Sequence, residues 1–346
     1  MAALKIQAFE KSGQEARQEE TEVTGLDLYG RMRVLINRSL PYCIKLQIIY
    51  TLLEVRKIKE IVAKSLISEK NNMNIYRGCT HGCIYCDSRS EVYGKTYDFE
   101  DIEVKVNAVE LIEKELSKRR KKSMIVTGSM TDPYIPLEKK LENTRKCLEV
   151  IERYGFGVAL LTKSDLILRD IDLLKRINEK SKCVVQMTLT TFDEKLCKLL
   201  EPNVCTTRRR FEVLKEMQKE NIPTIVWLTP ILPFINDTEK NILGILNYCK
   251  EAGVRGIITF DIGMTLRFGN REYYYRKLEE HFPNLKKEYM KKYGSAYGLK
   301  SPYSGKLSKL IQSFCKENKM LYGEKEVFNY IWDFTEQDGQ LSLFDS

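Results

Sequence analysis

Long apolar runs are missing from this sequence. The longest one near the N-terminus, LPYCIKLQIIYTLL, contains Lys45 and is shorter than the roughly 20 apolar residues that a membrane-spanning helix needs. The first twenty residues also lack the apolar core of a secretory signal peptide. We therefore expect a cytoplasmic protein that has no membrane partner.

Cysteine pairs of the kind found in disulfide frameworks or zinc knuckles are also missing outside one short loop. The remaining cysteines are scattered, which is typical of small buried side chains in a reducing compartment. They are Cys43, Cys147, Cys183, Cys197, Cys205, Cys249 and Cys315. Because no second knuckle is present, the usual pattern of a structural zinc site is absent.

The bulk composition is that of an ordinary globular protein. A chain of 346 residues with 43% hydrophobic content can hold one large α/β domain with appendages, or two domains. The formal net charge of +9 suits a polyanionic partner such as nucleic acid, but many soluble enzymes have a similar charge. Charge alone therefore selects no function.

One loop, NIYRGCTHGCIYCDSR, contains Cys79, Cys83 and Cys86 at C-x3-C-x2-C spacing. A tight turn can aim three thiolates at one point, and iron–sulfur clusters take thiolate ligands. A four-iron cluster held by only three cysteines leaves one iron open to a substrate or cofactor. Zinc binding with the help of His81, or no metal at all, are the alternatives that these residues leave open.

The loop resembles the signature of the radical S-adenosylmethionine (radical SAM) superfamily, in which an aromatic residue, here Tyr85, precedes the last cysteine. Together with GSMTDPY and LLTKS, it is similar to the branch that is grouped with spore photoproduct lyase and called DNA-repair-photolyase-like. The resemblance implies a [4Fe-4S] cluster whose open iron chelates S-adenosylmethionine (SAM). It also implies a reducing electron donor and cleavage of SAM to a 5′-deoxyadenosyl radical.

Short apolar runs alternate with helix-like segments through the middle of the chain, which indicates parallel strands joined by crossover helices. Besides a strand before Cys79, the runs lie at 124–130, 157–164, 184–191, 224–231 and 256–263. Six β/α units match the open (β/α)6 barrel of the superfamily, so we predict an α/β fold of this type. The predicted parts are an extension at 1–57, partly disordered, a core at 58–270, a helical basic region at 271–335, which could cover the open side of the barrel, and a flexible tail at 336–346.

Active sites of parallel barrels lie at the carboxyl ends of the strands, and several polar residues are predicted there. Matched to the superfamily, these residues are candidates for holding the amino, carboxylate and ribose groups of SAM, although such residues often only cap the next helix. The candidates, in addition to Tyr85, are Gly128, Ser129, Lys163, Thr188, Thr190 and Arg210.

One segment departs from the spore photoproduct lyase pattern. That family carries a cysteine hydrogen donor in a C-T-S-D segment, whereas this chain has Ser129-Met130-Thr131-Asp132. The resemblance therefore does not carry over the activity on that lesion. Either another residue, such as Tyr134 or a cysteine from elsewhere in the chain, quenches the product radical, or the reaction is a different one.

The tail contains a sequence that is similar to the pentapeptide with which bacterial proteins bind the sliding clamp. Its residues Leu343 and Phe344 would fill an apolar pocket, with Gln340 at the rim and Leu341 beside it. The alternative is an apolar patch that folds back on the barrel.

Three hypotheses about function follow. The first is a radical SAM enzyme, with a lyase or repair activity, acting on damaged or modified DNA. The second is a radical SAM enzyme acting on a peptide, a transfer RNA or a small metabolite. The third is a non-enzymatic, metal-containing protein that binds nucleic acid.

Overall fold

A computed structural model describes residues 58–94 and 98–334 of the chain. The predicted extension at 1–57 and the tail residues Gln340, Leu341, Leu343 and Phe344 lie outside the described residues. All described residues belong to one compact unit, Lys57–Ser346. Within these residues the cysteines are all free thiols, and no helix is long and apolar enough to cross a membrane.

Twelve strands are present in the described part of the chain. They are β1 Lys59–Ile61, β2 Asn72–Met73, β3 Tyr76–Arg77, β4 Glu103–Lys105, β5 Met124–Thr127, β6 Gly157–Thr162, β7 Cys183–Thr188, β8 Thr224–Trp227, β9 Gly256–Ile258, β10 Gly263–Thr265, β11 Gly298–Lys300 and β12 Leu321–Tyr322.

Eleven α-helices alternate with these strands in the described residues. They are α1 Ala108–Leu116, α2 Glu138–Leu141, α3 Asn143–Tyr154, α4 Ile171–Lys180, α5 Glu194–Leu200, α6 Thr207–Lys219, α7 Glu239–Glu251, α8 Asn270–His281, α9 Leu285–Tyr293, α10 Ser304–Glu317 and α11 Glu324–Trp332.

The main sheet has seven strands in the order β12-β9-β8-β7-β6-β5-β2, and every neighbouring pair is parallel. This arrangement confirms the predicted α/β fold with a partial parallel barrel. The prediction of six strands missed β12, because two half-buried residues are too few to show a strand pattern. Two smaller sheets, β1-β4-β3 and β10-β11, complete the set in the described residues.

Each central strand is apolar on both faces, which is why it reads as a continuous hydrophobic run. Val158 and Leu160 of β6 face the crossover helices in the larger core cluster. Ala159, between them, faces the opposite side of the sheet, where it packs with Val327 and Ile331 of α11. The last helix therefore fills the concave face of the sheet.

Local signals fix the ends of the crossover helices. Asp193 accepts a hydrogen bond from the backbone N–H of Leu196 and begins α5, and Thr238 does the same for Asn241 and begins α7. At the other end of α3, Gly155 adopts a left-handed conformation with φ of 70°. These caps orient each helix between two parallel strands.

In the region after β10, Tyr274 and Leu278 of α8 and Tyr289 of α9 form a separate cluster around the cysteine loop. The covering element for the concave face is α11, which follows that region. The loop and the sheet are thus packed by different helices.

Candidate functional site

A cavity of about 820 Å³ opens at the carboxyl ends of the parallel strands. Cys79, Cys83 and Cys86 all line it, and we name it the cysteine cavity. The other walls come from the ends of β5 to β9 and from the two-stranded β10-β11 sheet. They include Gly128, Ser129, Met130, Lys163, Thr188, Trp227, Phe260, Asp261, Tyr297 and Lys300.

A short segment after α5 holds the cysteine loop in place. The backbone N–H of Ile84 donates to the carbonyl of Leu200 at 3.0 Å, and the N–H of Asn203 donates to the carbonyl of His81 at 3.1 Å. The Asn203 side chain also donates to the carbonyl of Thr80 at 3.0 Å. Three hydrogen bonds therefore fix the loop between its first and last cysteines.

Tyr85, between the second and third cysteines, anchors the loop to a buried ion pair. Its hydroxyl donates to Glu201, and Glu201 lies 2.5 Å from the guanidinium of Arg210. Burial alone would raise the pKa of the Glu201 carboxyl. The positive charges of Arg210 and Lys163 lower this pKa by more than burial raises it, so it lies below its usual value. The pair is charged, and it ties the cysteine loop to α6.

The prediction that Arg210 helps to hold SAM is therefore wrong. Its side chain is fully buried, donates to the carbonyl oxygens of Thr188 and Cys205, and does not line the cysteine cavity. Because its charge is neutralised by Glu201, it is not available to a cofactor carboxylate. Arg210 instead supports the wall that the cofactor would face.

Thr188 and Thr190 have different surroundings in the structure. Thr188 ends β7 and lines the cysteine cavity. Thr190 lies beyond the strand, is fully buried, and its hydroxyl is 3.2 Å from that of Thr191. The strand stops at Thr188, so Thr190, although also predicted to help hold SAM, lies outside the cavity wall.

Gly128 and Ser129 lie where the sequence predicted, at the end of β5. A Cβ on Gly128 would be 1.9 Å from the carbonyl oxygen of Leu161, and its φ is +102°. The Ser129 hydroxyl accepts a hydrogen bond of 2.7 Å from the Asn72 side chain. Gly128 therefore lets the end of β5 approach the backbone of β6 more closely than a residue with a side chain could.

The three thiols differ in their surroundings. Burial raises the pKa of Cys83 and Cys86. Burial also raises the pKa of Cys79, but the neighbouring His81, which hydrogen-bonds its sulfur, lowers it more, so the net pKa falls. Lys163 lines the same cavity and partly offsets the raised pKa of Cys83 and of Cys86.

Asp132 organises the strand ends behind Cys79. Its carboxylate accepts hydrogen bonds from the Thr162 hydroxyl at 2.7 Å and from the Lys163 backbone N–H at 2.8 Å. The carboxylate also accepts a hydrogen bond from the Tyr134 backbone N–H at 2.8 Å, and the Nδ1 of the His81 ring is 3.4 Å away. His81 is thus held against Cys79 and Asp132 and is buried.

The predicted hydrogen donor Tyr134 does not reach the cysteine cavity. It is fully buried and lines a different cavity, together with Cys205, whose thiol donates to the Lys163 carbonyl at 3.1 Å. In the described residues, the tyrosines that line the cysteine cavity are Tyr85 and Tyr297. The prediction for Tyr134 is therefore wrong.

Sequence reasoning missed Glu201 and Asn203, because neither stands in a recognisable motif. A signal for Arg210 was present. In α6 the residues at 207, 210, 211, 214 and 217 are all buried, and this helical stripe places the third arginine on the inner face. A buried arginine requires an anionic partner, which Glu201 provides.

The donor set fits a multi-iron cluster. Within the described residues, no three His, Cys, Asp or Glu side chains surround a point at which one metal ion could bind. Ligands of a cubane bind separate irons, so three thiols that line one cavity are compatible with such a cluster. Lys163, which lines the same cavity, suits a small anionic ligand beside the cluster.

Comparison with known proteins decides the family. Residues 73–246 match the family model described as Radical SAM superfamily. The chain belongs to the radical SAM superfamily. Its cofactors are accordingly a [4Fe-4S] cluster and SAM, and the cysteine cavity is where the matching cysteine motif lies.

Relatives in sequence include proteins of archaea, bacteria and phages. An uncharacterized protein of Methanocaldococcus jannaschii is 31% identical over 192 residues, covering 54% of this chain and 70% of that protein. An uncharacterized protein of Mycobacterium tuberculosis is 24% identical over 249 residues, covering 68% and 73%. A radical SAM Nalpha-GlyT isomerase of Pseudomonas phage M6 is 29% identical over 174 residues, covering 50% and 35%.

Solved structures with a similar fold include spore photoproduct lyase in complex with dinucleoside spore photoproduct. It has a TM-score of 0.56 and 14% sequence identity, covering 77% of this chain and 81% of that chain. A double mutant of the same lyase with bound AdoMet and dinucleoside spore photoproduct has a TM-score of 0.54 at 14% identity, with the same coverage. At this identity the likeness establishes the fold.

Proposed function

We propose that this radical SAM enzyme acts on nucleic acid, specifically on a damaged or modified base of DNA. When both cofactors are bound, they supply a 5′-deoxyadenosyl radical that can remove a hydrogen atom from a substrate. The residues of the chain would bind the base, orient it towards the cysteine cavity and exclude water. The single observation that carries the proposal is the pair of exposed aromatic rings at the cavity mouth.

The mouth of the cysteine cavity presents aromatic rings to solvent. Phe260 is 49% exposed and Tyr297 is 52% exposed. The Phe260 ring packs edge-on against Trp227, with ring centroids 5.4 Å apart, and the Trp227 indole donates to Gln186 at 2.8 Å. Exposed rings that are held by such contacts form platforms on which bases stack.

Cations stand beside the rings. The Arg267 guanidinium is 4.9 Å from the centre of the Tyr297 ring and donates to its hydroxyl at 2.7 Å. Lys300, which also lines the cavity, pairs with Asp261 at 3.2 Å. A mixture of exposed rings and cations is what a single strand or an extruded base needs. The net charge of +9 is compatible with such a partner.

Two printed names are compatible with the proposed substrate class. A phage relative is named a radical SAM Nalpha-GlyT isomerase, and one structure of similar fold is spore photoproduct lyase in complex with dinucleoside spore photoproduct. A base inside a duplex is out of reach of a cavity, so the proposed reaction requires the base to be flipped out. The cavity of about 820 Å³ is large enough to admit a base beside a cofactor.

Tyr297 is our proposed hydrogen donor to the product radical. Tyr85, the other tyrosine of the cavity in the described residues, has its hydroxyl bound to Glu201. Tyr297 is exposed at the mouth, and no cysteine other than the three of the loop lines the cavity in that part of the chain. The phenol O–H bond of Tyr297 would break to give a hydrogen atom to the product radical, and one electron from the reducing donor and one proton from water would restore the phenol.

The test is an anaerobic reaction of the reconstituted enzyme with dithionite, deuterium-labelled SAM and ultraviolet-irradiated or modified DNA. We expect 5′-deoxyadenosine release that depends on the DNA, and mass spectrometry is expected to find an altered base. Phe260→Ala should weaken single-strand binding by about 1–3 kcal/mol, whereas the exposed Trp332→Ala on α11 should not. Turnover only with a peptide, a transfer RNA or a small metabolite would contradict the proposal.

The tail provides a separate test of delivery to DNA. We propose that Gln340, Leu341, Leu343 and Phe344 bind the bacterial sliding clamp. A chain that ends at residue 339 should lose measurable binding to purified clamp while keeping its SAM cleavage. Equal clamp binding by the full and the shortened chain would reject this part of the proposal.

A further inference from the structure

The loop between β10 and α8 presents the most exposed aromatic side chain of the described residues. Phe268 is 65% exposed, whereas the other exposed aromatic side chains lie between 41% and 56%. A second exposed apolar side chain, Val92 at 63%, belongs to the segment that follows the cysteine loop. Single exposed apolar residues are common on protein surfaces, so the position of these two decides whether they have a role.

Phe268 stands next to the mouth of the cysteine cavity. Thr265, at the end of β10, lines this cavity, and the backbone N–H of Leu266 donates to the carbonyl of Tyr297 at 2.9 Å. Arg267 then lies over the Tyr297 ring. Three residues of extended chain span at most about 11 Å, so the Cα of Phe268 lies within that distance of the Cα of Thr265.

The backbone on both sides of the Phe268 ring is fixed. The Phe268 carbonyl accepts a hydrogen bond of 3.1 Å from the backbone N–H of Glu91. The next residue, Gly269, has a φ of +93° and donates its N–H to the Glu272 side chain at 2.7 Å. A Cβ on Gly269 would lie 3.1 Å from the carbonyl oxygen of Arg89, so the turn packs closely against the segment after the cysteine loop. The exposed ring is therefore held on an ordered turn beside the cavity.

A base that leaves a duplex to enter a cavity leaves a gap in the stack. Loss of stacking is part of the cost of flipping the base out. Proteins that unstack DNA commonly insert an apolar side chain such as Phe or Leu between the bases. Because the flipped nucleotide stays attached to its strand, the side chain that fills the gap must protrude close to the cavity that receives the base.

We propose that Phe268 is a wedge, which enters the duplex and fills the space left by the base that the cysteine cavity receives. Val92, on the neighbouring segment, is a second apolar contact to the DNA. This inference rests on the DNA substrate proposed above. It adds that the enzyme binds the DNA as a duplex and opens it without another protein. Phe268 is a positioning residue, since no bond to it forms or breaks.

A protein partner fits this position less well. A stable protein interface buries roughly 1,200–2,000 Å² in total. In the segments 87–94 and 263–270, by contrast, Val92 and Phe268 are the exposed large apolar side chains. The neighbouring exposed groups at the mouth are the Tyr297 ring and the Arg267 cation. One protruding ring beside such groups suits a step between two bases.

The test compares two forms of the same DNA with the full-length reconstituted enzyme. The probe is an ultraviolet-irradiated oligonucleotide, either single-stranded or annealed to its complement. The rate of DNA-dependent 5′-deoxyadenosine release is measured for each form. In Phe268→Ala we expect the rate with the duplex to fall about fivefold or more, because no ring replaces the lost stacking. The rate with the single strand should stay within about twofold of the unmodified enzyme, because no paired stack has to be opened.

Two control variants separate a wedge from a general effect. Phe268→Leu should keep most of the duplex rate, since leucine also serves as a wedge. Trp332→Ala removes another exposed ring, on α11, which lines neither of the two cavities, and it should change neither rate. Cluster content and SAM cleavage in the absence of DNA should be the same in all variants.

The failure of the wedge can be told apart from the failure of the DNA substrate. An unchanged duplex rate in Phe268→Ala, or equal decreases with duplex and single strand, would overturn the wedge and leave the DNA substrate in place. Activity of the unmodified enzyme on the single strand alone would do the same. If neither form of the DNA stimulates 5′-deoxyadenosine release by the unmodified enzyme, both the substrate proposal and the wedge are contradicted.

Discussion

Gly128 shows how a single residue shapes the cofactor cavity. Its φ of +102° is strained for any other residue, and a Cβ would be 1.9 Å from the Leu161 carbonyl oxygen. The backbone of β6 cannot move away without breaking its pairing with β5 and β7. The position therefore requires glycine for both conformational and steric reasons.

Gly128→Ala should lower the free energy of unfolding by more than about 1–3 kcal/mol and abolish SAM binding, because the backbone must shift at the cavity wall. Gly155→Ala is the matched control, since Gly155 also has positive φ, at +70°, but has open space around it. It should cost about 1 kcal/mol and keep SAM binding. Urea unfolding and equilibrium dialysis are the measurements, and equal effects of the two substitutions would contradict this account.

Glu201 is the residue on which the anchoring of Tyr85 depends. Glu201→Gln leaves Arg210 as a buried charge without its partner, so the free energy of unfolding should fall by about 3–5 kcal/mol. Glu220→Gln, which breaks an exposed pair with Lys175, should have no measurable effect.

Iron content after anaerobic reconstitution separates anchoring of the loop from general stability. Glu201→Gln should take up less cluster even at temperatures at which the protein is fully folded, because Tyr85 loses its acceptor. Full cluster content under those conditions would show that the ion pair only stabilises the fold and does not anchor the cysteine loop.

At the residue scale, the sequence predicts the cysteine ligands of the cluster better than it predicts the residues that hold the cysteine loop in place. Cys79, Cys83 and Cys86 are close in the chain, so their spacing alone brings them together. Arg210 and Glu201 depend on how α5 and α6 pack, and a run of three arginines resembles a solvated surface. Only the buried stripe of α6 distinguishes Arg210 from its exposed neighbours.

At the scale of elements, α11 has a structural role that no sequence motif indicates. Val327 and Ile331 pack against Met124, Ala159 and other residues of the concave face of the sheet. In the same helix, Phe328 contacts the rings of Trp227 and Phe260. The helix therefore fills the barrel below the cysteine cavity and supports the aromatic mouth.

Ile331→Ala should lower the free energy of unfolding by about 2–5 kcal/mol, because the side chain is buried and leaves a cavity against the sheet. Trp332→Ala, at the next and 41% exposed position, should change it by no more than about 0.5 kcal/mol. Chemical denaturation of the two variants is the measurement. Equal losses, or none from Ile331→Ala, would show that α11 is not part of the core.

The central strands were predictable because each is buried on both faces and reads as a run of Val, Ile and Leu. Their ends were not, since polar residues such as Ser164 and Thr190 follow the last paired residue without a break in pattern. β12 has only two residues, too few to show a strand pattern. It joins the sheet because α10 leads the chain back to a position beside β9. Tertiary packing, and not local propensity, decides these features.

At the scale of the whole molecule, the cysteine loop is the wall between two cavities of different character. The cysteine cavity lies at the strand ends and has aromatic rings at its mouth, whereas a second cavity, of about 600 Å³, is lined by Lys139, Arg169 and Lys198. The superfamily match over residues 73–246 runs from the end of β2 into α7, while Phe260 and Tyr297 of the aromatic mouth come from later residues. The rings that we propose to contact the substrate thus come from a different part of the chain than the cysteine motif.

The most direct test of the account is anaerobic reconstitution of the full chain, followed by electron paramagnetic resonance after reduction and by measurement of 5′-deoxyadenosine. The unmodified protein should give a [4Fe-4S] signal that changes when SAM is added, and it should release 5′-deoxyadenosine. Cys83→Ala should give neither, whereas Cys147→Ala, at a buried cysteine outside the cysteine cavity, should give both. A Cys83→Ala protein that retains the signal and the SAM cleavage would contradict the account.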